Sequence, residues 1–117
     1  MKPARLDFKL CEGDMNPYKL RFPYDLTGAI VTMKVASRTA SLFVLTNQNA
    51  GLIVAANTPV AGKSEVTFRQ ITEVEEDTIK ALPGKTAFWN LKIKFAGEAQ
   101  PRSFFQGLLE IDEDEIV

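Results

Sequence analysis

A chain of 117 residues fits one domain and, at that size, buries roughly two thirds of the surface its unfolded form exposes, enough for one core. Its 45% hydrophobic and 25% charged residues are ordinary globular values, and no apolar run approaches the roughly 20 residues of a membrane-spanning helix. With 14 basic against 15 acidic residues the net charge is -1, and no basic block follows a phosphate backbone, so neither membrane nor nucleic acid is an expected partner.

There is no histidine, which removes the commonest general base, metal ligand and pH switch. The single cysteine, Cys11, has no internal partner and reads as a small, partly buried apolar residue. No metal, cofactor, small-molecule substrate or catalytic residue is expected, and the chain does not read as an enzyme. Leu6, Phe8 and Leu10 alternate with charges directly after Arg5, so no signal peptide is expected and the chain should remain in the cytoplasm where it is made.

That alternation predicts a first strand from about Arg5 to Cys11, ended by Glu12-Gly13-Asp14. Between Asn16 and Tyr24, Tyr18, Leu20 and Phe22 share a face opposite Lys19 and Arg21, with Pro17 and Pro23 at the ends where a missing donor harms a ladder least. A hairpin between these two strands is the natural expectation. Asp25, Thr27 and Gly28 are turn formers, and from Ala29 the chain sorts into Ala29, Val31, Met33 and Val35 on an inward face, with Ile30, Thr32, Lys34 and Ala36 outward.

Leu42 to Leu45 reads as a short strand, and Thr46 to Gly51 as a turn. Leu52 to Ala56 is apolar throughout, so it is buried on both faces or held in an interface. After the loop from Asn57 to Gly62, Ser64 to Gln70 alternates with Val66 and Phe68 on one face. Thr72 to Leu82 is the one helical candidate: Thr72 and Glu75 have capping-box spacing, and Val74, Thr78, Ile79 and Leu82 fall near one side. Glu73, Glu75, Glu76 and Asp77 near its start suit the helix dipole better than they suit a carboxylate pair for glycoside hydrolysis.

Pro83-Gly84 stops the helix, and Thr86 to Phe95 returns to period 2, with Ala87, Trp89, Leu91, Ile93 and Phe95 opposed to Phe88, Asn90, Lys92 and Lys94. A loop from Ala96 to Pro101 leads to a last strand, Arg102 to Ile111, with Phe105, Gly107, Leu109 and Ile111 facing one way. The whole reads as an all-β antiparallel β-sandwich, immunoglobulin-like, of about eight strands with one short helix. It forms a single domain over 1–117, with a short acidic tail from about 112 that is better read as a solvated end than as a cation site.

Adjacent strand residues point to opposite faces, so only one of each aromatic pair Phe88-Trp89 and Phe104-Phe105 enters a given core. With Trp89 and Phe105 inside, Phe88 and Phe104 either cover the second face under the helix or form an exposed patch, and they are the candidate interface residues. Asp25, Thr27, Gly28, Trp89 and Gly107 are the candidate structural positions.

The order of these features resembles small bacteriophage structural domains, including the N-terminal domain of the phage baseplate upper protein family. The features are Glu12-Gly13-Asp14 closing a first strand, Asp25-Leu26-Thr27-Gly28 opening the next period-2 strand, and the helical turn Glu76 to Leu82 with Pro83-Gly84. They continue with the strand ending near Gly97 and the closing Gln106-Gly107-Leu108-Leu109-Glu110-Ile111. The resemblance implies a β-sandwich of a phage tail, baseplate or fibre that acts through contacts with other phage structural proteins, as an oligomer. It implies assembly in the host cytoplasm and residence in the virion, and it carries over no catalytic residue. The alternative is a carbohydrate-binding sandwich that uses exposed aromatic side chains.

Overall fold

The computed structural model describes residues 4–11, 18–58, 60–69 and 71–112. The turn at Glu12-Gly13-Asp14, Pro17, the Cys11 side chain and the acidic residues from Glu113 onward lie outside what is described. Among the described residues nine strands and one α-helix follow in order: β1 (Ala4–Arg5), β2 (Phe8–Cys11), β3 (Tyr18–Phe22), β4 (Ile30–Ala36), β5 (Ser41–Thr46), β6 (Leu52–Ala56), β7 (Ser64–Phe68), α1 (Glu73–Lys80), β8 (Thr86–Lys94) and β9 (Arg102–Asp112), with a 3-10 turn at Pro83–Lys85 ahead of β8. The larger sheet runs β1-β9-β8-β4-β5, with β2 also on β9, and the smaller runs β3-β7-β6. Packed face to face, they make an all-β sandwich.

β4 and β8 form the middle of the larger sheet, antiparallel from Ile30↔Lys94 to Ala36↔Phe88. Their inward residues Val31, Met33, Val35, Ala87, Trp89, Leu91 and Ile93 are all buried, as the alternation requires. β4 starts where it does because Asp25 Oδ1 accepts both the Thr27 amide (3.0 Å) and the Thr27 hydroxyl (2.6 Å), while Gly28 takes φ +73°. The Thr27 hydroxyl and amide hold the Asp25 carboxyl below its ordinary range.

The N-terminal segment departs from expectation in two ways. It does not hairpin with β3: β1 and β2 pair parallel with β9, through Ala4↔Phe105 and Phe8↔Leu109, whereas β3 pairs antiparallel with β7. The larger sheet is therefore mixed. Nor is it one strand, because at Leu6-Asp7 the backbone crosses over Gly107. Trp89 Nε1–H donates to Leu6 O (2.8 Å), Leu6 N–H to Gln106 O (2.9 Å), and the Leu108 amide to Asp7 Oδ1 (2.9 Å). A Cβ on Gly107 would stand 2.0 Å from Leu6 O, so the crossing requires glycine. Across the strand pair Trp89 lies opposite Gly107, and Phe8 packs on Trp89 at 4.9 Å between ring centroids.

Phe104 is the second correction. Leu91 pairs with Phe105 but Lys92 with Ser103, so Phe104 is the extra residue of a β-bulge. The bulge turns it inward, leaving it 9% exposed among Phe22 (6.4 Å), Tyr24 (5.7 Å) and Phe95 (5.8 Å). Phe22 also touches Phe105 at 5.7 Å, which joins the two sheets.

Ser64, fully buried at the start of β7, accepts the Leu26 amide (3.0 Å) and donates to Tyr24 O (2.8 Å). That hydroxyl ties the smaller sheet to the turn ahead of β4. In α1, Thr72 caps as expected: its hydroxyl accepts the Glu75 amide (3.1 Å) and the Glu75 carboxylate accepts the Thr72 amide (2.9 Å). Arg69 grips the same carboxylate with two 2.7 Å bonds. Ile79 faces the core, but Val74 does not join it and stays 75% exposed. β6 is not buried on both faces either: Leu52 points inward, whereas Ile53 is 66% exposed at the edge of the smaller sheet.

Candidate functional site

The outer face of the larger sheet is built by the residues that alternate away from the core. Phe88 lies between Ala36 on β4 and Leu108 on β9. Ala36 is too small to cover a phenyl ring from one side, and Phe88 is 42% exposed. Since its sequence neighbour Trp89 fills the core, Phe88 has only the outside left to it.

Three cations border the same depressions as the ring. The Arg38 guanidinium stands 5.9 Å from the Phe88 centroid, a cation–π distance. Lys34 lies two pairs along β4, opposite Asn90 and Val44, and Arg5 reaches the face through its pairing with Gln106. Arg5 Nε is 3.3 Å from the Asp7 carboxylate. Two depressions flank the phenyl ring: one of about 320 Å³ lies over Lys34, Asn90 and Gln106, and one of about 640 Å³ runs over Arg38, Leu82, Pro83 and Thr86. Arg5 and Leu108 border both. The result is an aromatic knob in a shallow basic trough, a surface suited to an acidic segment with an apolar side chain.

Phe104 does not share this face. It lines a separate hollow of about 290 Å³ with Tyr24, Phe95, Glu98 and Arg102. Tyr24 is 41% exposed at its rim, and Arg102 lies 5.7 Å above the Phe95 ring while pairing with Glu98. The two candidate interface residues are thus set apart, and one platform of Phe88 and Phe104 does not exist. Of the candidate structural positions, Trp89 and Gly107 meet at the N-terminal crossing, and Asp25, Thr27 and Gly28 form the turn into β4.

Period 2 places Lys34 on the outward face of β4, but only the pairing of β4 with β8 brings it near Phe88. Arg5 and Arg38 come from other segments, and only the strand order brings them there. Ser64 carried no signal beyond its position at a strand start. No protein-family model matches the chain, and no curated protein matches it in sequence.

Proposed function

We propose that the chain is a non-enzymatic structural module of a bacteriophage or prophage particle, a tail, baseplate or fibre attachment domain that works through protein–protein contacts. The observation that carries this reading is Phe88, a large aromatic left uncovered at the centre of a sheet face, beside depressions that Arg5, Lys34 and Arg38 border. Exposed aromatics backed by a rigid sheet and rimmed by charge suit the centre of an interface. The order of turn and strand motifs from Asp25-Leu26-Thr27-Gly28 to Gln106-Gly107-Leu108 supports the phage assignment. The partner is another phage structural protein, met in the host cytoplasm during assembly and kept in the virion.

The test is to propagate or induce phage from the strain that encodes the chain, purify intact particles and probe them with an antibody against it. Signal at one end of the tail is expected, with at least a tenfold loss for Phe88→Ala despite an unchanged melting temperature. A chain that is expressed but absent from intact particles would overturn the reading.

A carbohydrate-binding role is favoured by one feature, the hollow in which exposed Tyr24 stands beside the polar groups of Glu98 and Arg102. It predicts saturable glycan binding by the isolated chain, abolished by Tyr24→Ala and untouched by Phe88→Ala.

A further inference from the structure

The strands at the sheet edges are protected to different degrees. Edge strands avoid unwanted pairing through charge, bulges, shortness or side chains that occupy their free polar groups. β3 carries Lys19 and Arg21. β5 is bulged at Leu42, and Asn49 occupies its outward groups, with Nδ2 donating to Val44 O (3.3 Å) and Oδ1 accepting the Thr46 amide (3.1 Å). β1 and β2 are short and separated by the crossing over Gly107. β6, Leu-Ile-Val-Ala-Ala, has no charge, no bulge and an unbroken register with β7 from Leu52↔Phe68 to Ala56↔Ser64.

We propose that β6 is the seam of a two-fold dimer in which it pairs antiparallel with β6 of a second copy, centred on Val54. The phase of the ladder supports this. Arg69 N–H donates to Gly51 O at 3.0 Å, one pair beyond Leu52↔Phe68, so Ile53 and Ala55 turn their polar groups toward β7. Leu52, Val54 and Ala56 therefore turn theirs outward. A two-fold at Val54 joins these groups through about six main-chain hydrogen bonds, with Ala56 O, which already takes the Thr58 hydroxyl at 3.1 Å, using its second lone pair.

Side-chain size fits a second copy, and charge does not oppose it. The side chains of β6 shrink along its length, so antiparallel pairing sets Leu52 against Ala56 of the other copy, Ile53 against Ala55, and Val54 against itself. Each large side chain meets a small one. On the outer face the row Arg21, Glu65, Ala55 continues into Ile53, Thr67, Lys19 of the second copy, so no like charges come opposite each other at the seam. The dimer would form one continuous sheet from two smaller sheets and cover Ile53. This inference is independent of the virion reading.

Light scattering across a dilution series tests it, with the intact chain expected to weigh as a dimer. Val54→Pro removes an outward N–H that β7 does not use, and should give a folded monomer with an unchanged circular-dichroism spectrum. In a Cys11→Ser background, Ile53→Cys and Ala55→Cys chains should cross-link on oxidation when mixed, and far less when separate. Only the mixture sets the two thiols on a directly opposed pair about 4.5 Å apart at Cα, within disulfide reach. A monomeric native chain, a dimer that survives Val54→Pro, or cross-linking no greater in the mixture would each overturn the proposal.

Discussion

In the larger sheet the decisive contact is made by a residue without a side chain, Gly107, and in the smaller sheet by a buried hydroxyl, Ser64. Gly107 lets a backbone segment lie directly on β9, where Leu6 and Asp7 collect three hydrogen bonds from Trp89, to Gln106 and from Leu108. Ser64 supplies one donor and one acceptor to a turn whose buried amide and part-buried carbonyl it satisfies. One fastening fails when atoms are added and the other when they are removed. Substitutions of opposite kind should therefore separate the two.

Gly107→Ala has the largest expected effect. Its Cβ cannot coexist with Leu6 O, so the crossing must lift off β9 and forfeit its three hydrogen bonds, a loss of about 3 kcal/mol at roughly 1 kcal/mol each. Urea unfolding followed by Trp89 fluorescence measures it, and a red-shifted native spectrum should report that Trp89 has lost its Leu6 partner. A loss below about 0.5 kcal/mol would mean that the crossing does not fasten the sheet.

Ser64→Ala comes next, at about 2 kcal/mol, because the buried Leu26 amide and the part-buried Tyr24 carbonyl both lose their hydroxyl partner. Hydrogen exchange locates the damage: faster exchange at Leu26 and in β7 is expected, with the Leu6–Gln106 contact still protected. Acceleration spread evenly over both sheets would show that the two fastenings are not separate. Phe88→Ala serves as the control in the same measurement, since an exposed ring contributes little to folding.

How far these features could be read from sequence depends on whether they are local. The inward faces of β4 and β8 were legible because each strand is buried on one side only, and the Thr72–Glu75 box because both its partners lie within one helical turn. Trp89 and Phe88 were assignable together, since one must face away from the core if the other enters it. Period 2 gives a face but not a partner, which is why Arg5 to Cys11 suggested a neighbouring hairpin and instead pairs parallel with a strand about a hundred residues away. Phe104 was misplaced for a related reason: a bulge inserts one residue into the alternation, and nothing in Ser103-Phe104-Phe105 announces it. Arg5 and Arg38 join Phe88 only through strand order, so the basic trough was out of reach even though its aromatic centre was not.

The smallest expected effect lies where the smaller sheet hands over to the helix. Burial works to raise the Glu75 pKa, but the Arg69 guanidinium and the Thr72 amide outweigh it and leave the carboxyl below its ordinary value. The unfolded chain therefore takes up the proton at a higher pH than the folded one. The stability this adds is fully present above the unfolded pKa and is lost as pH falls through the lowered folded value. Glu75→Gln should cost no more than about 1 kcal/mol at neutral pH, since the pair is partly exposed, and its stability curve should converge on the native one in acid. A residual acid limb should remain in the variant, because Asp25, held low by the Thr27 hydroxyl and amide, depends on pH in the same direction. Curves that run parallel down to acid would show that Glu75 acts through its hydrogen-bonding shape and not through its charge. The junction would then resemble the Ser64 fastening, a matter of satisfied polar groups, with no electrostatic share of its own.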